Sequence, residues 1–262
     1  MSGNYLNFWT FDGVKFSSFG AVTLLDDYLD MPTRRGDNIE IPMRDGRHWT
    51  KKYFDQRTLM FGIEVQGTDV PNLERQLDNA RALFGVRSLR LLSNVWVDGS
   101  ERHAFAEVPG SLGISRDPDP RVARIAVTFV LPDPFFRSPI QLSSAQVINA
   151  SPFTFTLVNP GSAEERKAVL RLDGPLSSPT ITNLVNNVSF TYTGVIAGGH
   201  YVELNCDEMT AVTDLGVNVV GNVSHVGDVV FMAYVSGNNL MRVTDGTHTT
   251  GIFTTLWYPP YF

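Results

Sequence analysis

The fold is decided by the stretch Ile125-Ala-Val-Thr-Phe-Val-Leu-Pro-Asp-Pro-Phe-Phe-Arg-Ser-Pro139. Large apolar residues occupy every second position from Ile125 to Leu131, which is the period of a strand with one face against a core. Three prolines follow within eight residues, and the strand must end there because proline has no amide donor and a fixed φ angle. We therefore predict a rigid hinge between two domains, formed by Pro132, Pro134, Phe135, Phe136 and Pro139.

Charge is distributed unevenly on the two sides of this hinge. Residues 1–139 carry 17 Lys or Arg and 18 Asp or Glu, whereas residues 140–262 carry only 4 and 9. Each side is long enough to bury a core of its own. The sequence therefore predicts two domains, at about residues 1–137 and 138–262.

The overall composition excludes several classes of protein. The formal charge is −6 and the pI is near 5.3, whereas a reader of duplex DNA needs a basic face. Cys206 is the single cysteine, so no internal disulfide is possible. Met1–Asn7 lacks the basic and apolar regions of a secretory signal, and no window is long and apolar enough to span a membrane. We expect a chain made in the cytosol that binds neither specific nucleic-acid sequences nor membranes.

The first domain is predicted to be mostly strand with one helix. The Asp-Gly pair in Thr10–Gly13 indicates a tight turn, and Arg57–Val65 alternates as a strand does. Pro71–Phe84 has the apolar stripe of a helix that packs on a sheet, and Gly85 suits a left-handed stop. We expect a small barrel or sandwich with this helix plugging one opening. Further strands are predicted at Ile39–Met43, Ser88–Val97 and His103–Val108.

The second domain shows no helical period. Its short apolar segments are separated by clusters of Gly, Asn, Pro or Ser, which is typical of an antiparallel sandwich or jelly roll. The predicted strands are Phe153–Val158, Ala168–Leu172, Thr180–Val185, Val188–Thr193, Tyr201–Asn205, Val229–Val235, Leu240–Val243 and Ile252–Tyr258.

The sequence offers no catalytic or metal-binding pattern. It contains neither a Gly-x-Ser-x-Gly elbow nor a phosphate loop, and adjacent carboxylates such as Glu164 and Glu165 would point to opposite faces of a strand. We therefore expect no catalytic residue, no metal site and no cofactor. Five histidines lack the spacing of metal ligands: His48, His103, His200, His225 and His248.

The aromatic residues admit two interpretations. Tryptophans in β domains either stack on sugar rings, as on a lectin face, or are buried in cores and interfaces, which is commoner. The segment Leu256–Phe262 is either a last strand closed off by two prolines or an aromatic tail that docks on a neighbouring domain or subunit. The four tryptophans are Trp9, Trp49, Trp96 and Trp257.

The order of elements resembles a known family over nearly the whole chain. An Asp-Gly turn is followed by Thr33-Arg-Arg-Gly36, Arg44-Asp-Gly-Arg47 and the strand Arg57–Val65. After one helix and the hinge comes a sandwich that ends in Trp257-Tyr-Pro-Pro-Tyr261. The most specific element is the strand that runs into Asp133-Pro-Phe-Phe136. This order resembles the distal tail proteins of long-tailed, non-contractile bacteriophages.

The resemblance implies a structural protein of the virion. Residues 1–137 would form a hub domain and residues 138–262 a galectin-like sandwich. Six hubs would close into an adaptor ring at the tail tip, with a central conduit for DNA. The implied partners are the tail tube protein, the tape-measure protein, a tail-associated hub or lysin protein and a receptor-binding protein. For the oligomer or tube interface we predict the loop formed by Arg34, Arg35, Gly36 and Asp37.

Two other functions compete with this hypothesis. The second domain could be a carbohydrate-binding module that recognises host cell-wall glycans directly. A wall-degrading enzyme is the third class, and the sequence lacks the residues that such an enzyme needs.

Overall fold

The computed structural model describes residues 9–25, 30–43, 45–96, 99–227, 230–246 and 250–262. Over these residues the protein is mainly β with one α-helix, as predicted. No helix in these ranges is long and apolar enough to cross a bilayer. The predictions that involve Met1–Asn7, Arg44, Val97, Val229 and His248 fall, at those positions, outside the described residues.

The chain divides into two compact units, and the division falls after Arg137. The first unit, which also includes Phe262, contains β1 (Trp9–Phe11), β2 (Val14–Lys15), β3 (Gly20–Leu24), β4 (Arg34–Arg35), β5 (Ile39–Glu40), β6 (Arg47–His48), β7 (Tyr53–Phe54), β8 (Arg57–Gln66), α1 (Val70–Phe84), β9 (Arg90–Val95), β10 (Glu101–Ala106), β11 (Gly113–Arg116), β12 (Val122–Leu131) and β13 (Phe136–Arg137). The second unit, Ser138–Tyr261, contains β14 (Leu142–Ile148), β15 (Phe153–Asn159), β16 (Val169–Asp173), β17 (Leu176–Ser177), β18 (Thr180–Asn183), β19 (Val188–Tyr192), β20 (Val195–Ile196), β21 (Tyr201–Asn205), β22 (Thr210–Thr213), β23 (Val223–Val226), β24 (Gly237–Thr244), β25 (Gly251–Trp257) and β26 (Pro260–Tyr261).

The first unit is built on two antiparallel sheets. One has the order β11-β12-β8-β3, and the other contains β2-β1-β9-β10-β13. The two strands with the clearest alternation, β8 and β12, pair along their whole length, from Val122 opposite Gln66 to Leu131 opposite Arg57. The side chains predicted to face the core are buried in both strands. The predicted turn is confirmed, since Asp12 and Gly13 both have positive φ angles.

The helix α1 lies against β8 and β12, and its predicted stripe is buried: Leu73, Leu77, Ala80 and Phe84. The Asp69 side chain caps the first turn by accepting a hydrogen bond from the Asn72 amide. The ring of Phe84 lies 6.1 Å from Phe11 in one sheet and 6.0 Å from Phe129 in the other. The end of the helix therefore reaches both sheets through Phe84.

The stop after this helix differs from the prediction. Gly85 has a φ angle of −80°, so it does not adopt the left-handed conformation. Its amide donates to the Arg81 carbonyl, and a Cβ atom at this position would lie only 2.6 Å from that oxygen. Glycine is required here by this close approach to the backbone of the last turn.

The second unit is an antiparallel sandwich, as predicted. Its two sheets have the orders β14-β25-β16-β21-β22 and β15-β24-β18-β19-β23. Both contribute to one buried core, which includes Leu170 and Phe253 from the first sheet and Phe190 and Met241 from the second. Seven of the eight predicted strands are present, with ends shifted by a few residues.

The eighth predicted strand, Val229–Val235, is wrong over its described residues. Residues 230–235 form no strand apart from a single bridge between Tyr234 and Glu165. Asparagine side chains replace the missing ladder, because Asn183 donates to the Ala233 carbonyl and Asn239 bonds both the amide and the carbonyl of Val235. Buried backbone groups must be paired, and side-chain amides here do what a neighbouring strand would do.

Candidate functional site: an exposed arm and the hinge segment

A two-stranded extension projects from the first unit between residues 34 and 54, and we call it the arm. At its base β4 pairs with β7, placing Arg34 opposite Phe54. Farther along, β5 pairs with β6, placing Ile39 opposite His48. The Thr50 hydroxyl donates to the Asp37 carbonyl at 2.6 Å and joins the two short ladders. Pro42 lies in the turn beyond β5, which explains why this strand is shorter than the predicted Ile39–Met43.

The arm leaves large apolar side chains in solvent. Trp49 is 68% exposed, Ile39 is 60% exposed and Met43 is fully exposed. Ile41 and Tyr53 are also exposed. Neighbouring exposed apolar residues of this kind mark interaction surfaces in soluble proteins. The arm is therefore a candidate assembly surface.

The four residues predicted as an interface all lie at the base of the arm and are exposed. The guanidinium of Arg34 lies 5.3 Å from the centre of the Phe54 ring. Arg35 lies opposite Tyr53, and Gly36 has a φ angle of +108° that a residue with a side chain rarely adopts. Asp37 accepts the hydrogen bond from Thr50 through its carbonyl. Their role as an interface stays a prediction.

The residues predicted as a hinge divide into buried and exposed members. Pro134 and Phe136 are buried, Phe135 is half-buried, and Pro132 and Pro139 are exposed. The Phe136 ring lies 5.9 Å from Trp9 and 5.4 Å from the Arg57 guanidinium.

The base of the arm and the segment Pro132–Pro139, which is predicted to be a hinge, meet at Phe54. Its ring lies 5.4 Å from the Phe135 ring and 5.3 Å from the Arg34 guanidinium. Phe135 also lies 5.7 Å from Phe262. The structure thus brings together two sets of predicted residues that lie a hundred positions apart in the sequence.

The tryptophans are not alike. Trp9 and Trp257 are buried, as core residues are, and the Arg102 guanidinium lies 4.1 Å above Trp96. Trp49 is the exposed one.

The described residues offer little for catalysis. No group of three His, Cys, Asp or Glu side chains in them could hold a metal ion. Burial raises the pKa of the Cys206 thiol to about 12, so this thiol stays protonated and unreactive near neutral pH. Burial also lowers the pKa of His103, which leaves its ring neutral.

Comparison with solved structures identifies the architecture. The Dit protein of phage SPP1, described as a paradigm of the hub adsorption apparatus in phages that infect Gram-positive bacteria, aligns with a TM-score of 0.63. The alignment covers 95% of this chain and 98% of the SPP1 chain at 14% identity. The chain has the Dit fold. A weaker likeness, with a TM-score of 0.39 and 7% identity, connects it to a chain of the phage p2 baseplate, over 92% of this chain and 91% of that one. No protein-family model matches the sequence, and no curated protein matches it significantly.

Sequence reasoning missed the apolar side chains of the arm. Its signal was present, since Ile39, Ile41 and Met43 alternate beside a run of arginines. The pattern predicts only a short strand at Ile39–Met43, and the structure leaves all three side chains in solvent.

Proposed function

We propose that this chain is a non-enzymatic structural protein of a phage tail tip. Six copies assemble into an adaptor ring between the tail tube and the tip proteins that contact the host. The observation that carries this proposal is the likeness to SPP1 Dit, because it spans both units and nearly the full length of both chains. A fold alone does not define a function, so the surface of the first unit supplies the second argument.

The arm supports assembly through the first unit. Its exposed apolar residues lie beside cationic groups: Arg35 is exposed and forms no ion pair among the described residues, and Arg47 pairs with Glu40 at 2.8 Å. Arginine suits contacts between subunits because its planar fork matches carboxylates. A surface patch that fits a different patch on the next copy generates a ring when the rotation closes.

The charge of the chain suits a conduit. Each copy carries a formal charge of −6, and a ring of six repeats that charge. A negative lumen repels phosphates, so DNA would pass through it without adhering. The ring would contact the tail tube protein, the tape-measure protein, a tail-associated hub or lysin protein and a receptor-binding protein.

The test is the mass of the full-length protein by light scattering over a range of concentrations, alone and mixed with tail tube protein. We expect a species of six times 29.1 kDa. The variant Trp49→Ser should reduce this species strongly. Phe105→Ser is the matched control, because Phe105 is a similarly exposed aromatic residue of the first unit that lies outside the arm.

Two results would overturn the proposal. One is a monomer under every condition, including the mixture with tail tube protein. The other is a hexamer that Trp49→Ser and Phe105→Ser weaken equally, which would remove the arm from the interface.

A further inference from the structure

The second unit contains an open cavity of about 300 Å³ that no part of the proposed ring uses. It lies between the segment 193–200 and the turn 213–217, where the two sheets of the sandwich meet. Ile196 and Val202 form its buried floor. Its volume is at the lower end of the range for small-molecule pockets.

The cavity contains an unused hydrogen-bonding group. Tyr192 lines it and is only 6% exposed, yet its hydroxyl forms no hydrogen bond with any part of the chain that the structure describes. The hydroxyl oxygen is not fully sealed from solvent. It therefore keeps access to the cavity that the residue lines. Gly194 makes room for it, because a Cβ atom at that position would lie 3.3 Å from the hydroxyl oxygen. Burying a hydroxyl without a partner is unfavourable, and a ligand would supply the partner.

A second polar group lies at the rim. The Nδ1 atom of His200 lies 2.7 Å from an Asp214 carboxylate oxygen. Nδ1 therefore has a partner within the chain, and Nε2 is the second hydrogen-bonding atom of the ring. The same contact joins the segment 193–200 to the turn 213–217 and holds the two walls in place.

Three exposed aliphatic side chains form part of the cavity walls. Val195 and Leu215 are about three-quarters exposed, and Val217 is about half exposed. The lining therefore combines this carbon surface with several hydrogen-bonding side chains: Tyr192, Tyr201, Thr213 and the pair of His200 and Asp214. A ligand that fits has a compact ring with apolar C–H faces and hydroxyl groups at its edge.

We propose that this cavity binds a neutral monosaccharide unit. Its lining contains no lysine or arginine, which disfavours phosphates and other anions. A purely apolar side chain of a partner protein would leave the Tyr192 hydroxyl unpaired, whereas a sugar hydroxyl satisfies it. The site goes beyond the ring proposal, since the two make use of different units of the chain.

The test uses full-length protein and saturation-transfer NMR with methyl glucoside, methyl galactoside and methyl N-acetylglucosaminide as probes. We expect transfer to at least one glycoside, with weak affinity because a single small site is occupied. Tyr192→Phe removes only the hydroxyl and should weaken binding about tenfold, which corresponds to one lost hydrogen bond in a partly buried site. Cyclohexanol, which has a similar ring and one hydroxyl, serves as the apolar comparison.

A second pair of variants changes exposed residues only, so that a loss of binding cannot be caused by a change in the core around Tyr192. Val217→Asp places a charge on the cavity wall and should abolish binding. Val158→Asp is the control, because Val158 has a matching exposure and lies on β15, outside the cavity lining. No transfer to any glycoside, transfer to cyclohexanol alone, or glycoside binding that Tyr192→Phe and Val217→Asp leave unchanged would each overturn the proposal. None of these outcomes affects the mass of the ring, so the two proposals fail separately.

Discussion

The guanidinium of Arg57, the first residue of the long strand β8, lies 5.4 Å from the centre of the Phe136 ring. Arg57 is almost fully buried and also donates to the Asp30 carbonyl. A buried cation is retained only where it is well paired. The contact therefore joins the start of β8 to the segment that follows β12.

The first prediction concerns this anchor. Phe136→Ala should lower the unfolding free energy of the first unit by about 3 kcal/mol, because it leaves a cavity beneath Trp9 and Arg57. Phe135→Ala is the control and should cost less, since Phe135 is only half-buried. Urea denaturation followed by tryptophan fluorescence measures both values. Equal losses would show that Phe136 is not the dominant anchor.

The helix contact gives the second prediction. Leu77→Asp should unfold the first unit, because it leaves an unpaired charge in a fully buried apolar site. Ala82→Asp places the same residue on the exposed face of α1 and should cost about 1 kcal/mol or less. Thermal unfolding followed by circular dichroism distinguishes the two. A Leu77→Asp variant as heat-stable as the parent would contradict the packing of α1 described above.

The third prediction concerns the start of the same helix. The Asp69 carboxylate accepts a 2.7 Å hydrogen bond from the Asn72 amide. Asp69→Ala should lower the unfolding free energy by about 1 kcal/mol, whereas Asp69→Asn retains a capping oxygen and should be nearly neutral. If urea unfolding gave the same loss for both variants, the charge and not the cap would be responsible.

Alkaline pH should destabilise the second unit. Burial raises the pKa of the Cys206 thiol from an ordinary 9.0 to about 12, and it also raises the pKa of Tyr234. The unfolded chain loses these protons at lower pH than the folded protein does. It therefore binds fewer protons above about pH 9, and the unfolding free energy falls as the pH rises.

Urea unfolding at a series of pH values above 9 measures this effect. Cys206→Ala should reduce the slope of the decline while leaving the part due to Tyr234. An identical slope in the variant would exclude the thiol as a cause. Iodoacetamide should alkylate Cys206 only after unfolding, because the native thiol is buried and protonated.

The spacing of apolar residues predicts those strands and helices that bury one face against a core. Each of β8, β12 and α1 buries one face against a core. The spacing of their apolar residues follows that burial, so all three elements can be predicted from the sequence. The segment 230–235 has a similar apolar content, which predicts a strand. Its conformation depends on Asn183 and Asn239, which the local pattern does not include.

The sites were less predictable than the fold. The resemblance and the distribution of charge point to Arg34–Asp37, but the exposure of the apolar side chains beside it cannot be predicted from their alternation. The cavity of the second unit was missed, since Tyr192, His200 and Leu215 come from three separate segments. Only the tertiary structure brings such groups together, so their spacing in the sequence does not predict the cavity.

Averaged electron micrographs of tail tips that carry this protein would show how many copies form the ring. We expect six copies in a single ring, with the first units forming the closed contact and the arms at the boundaries between subunits. A tip with any other number of copies in the ring, or with copies that make no contact through their first units, would contradict it.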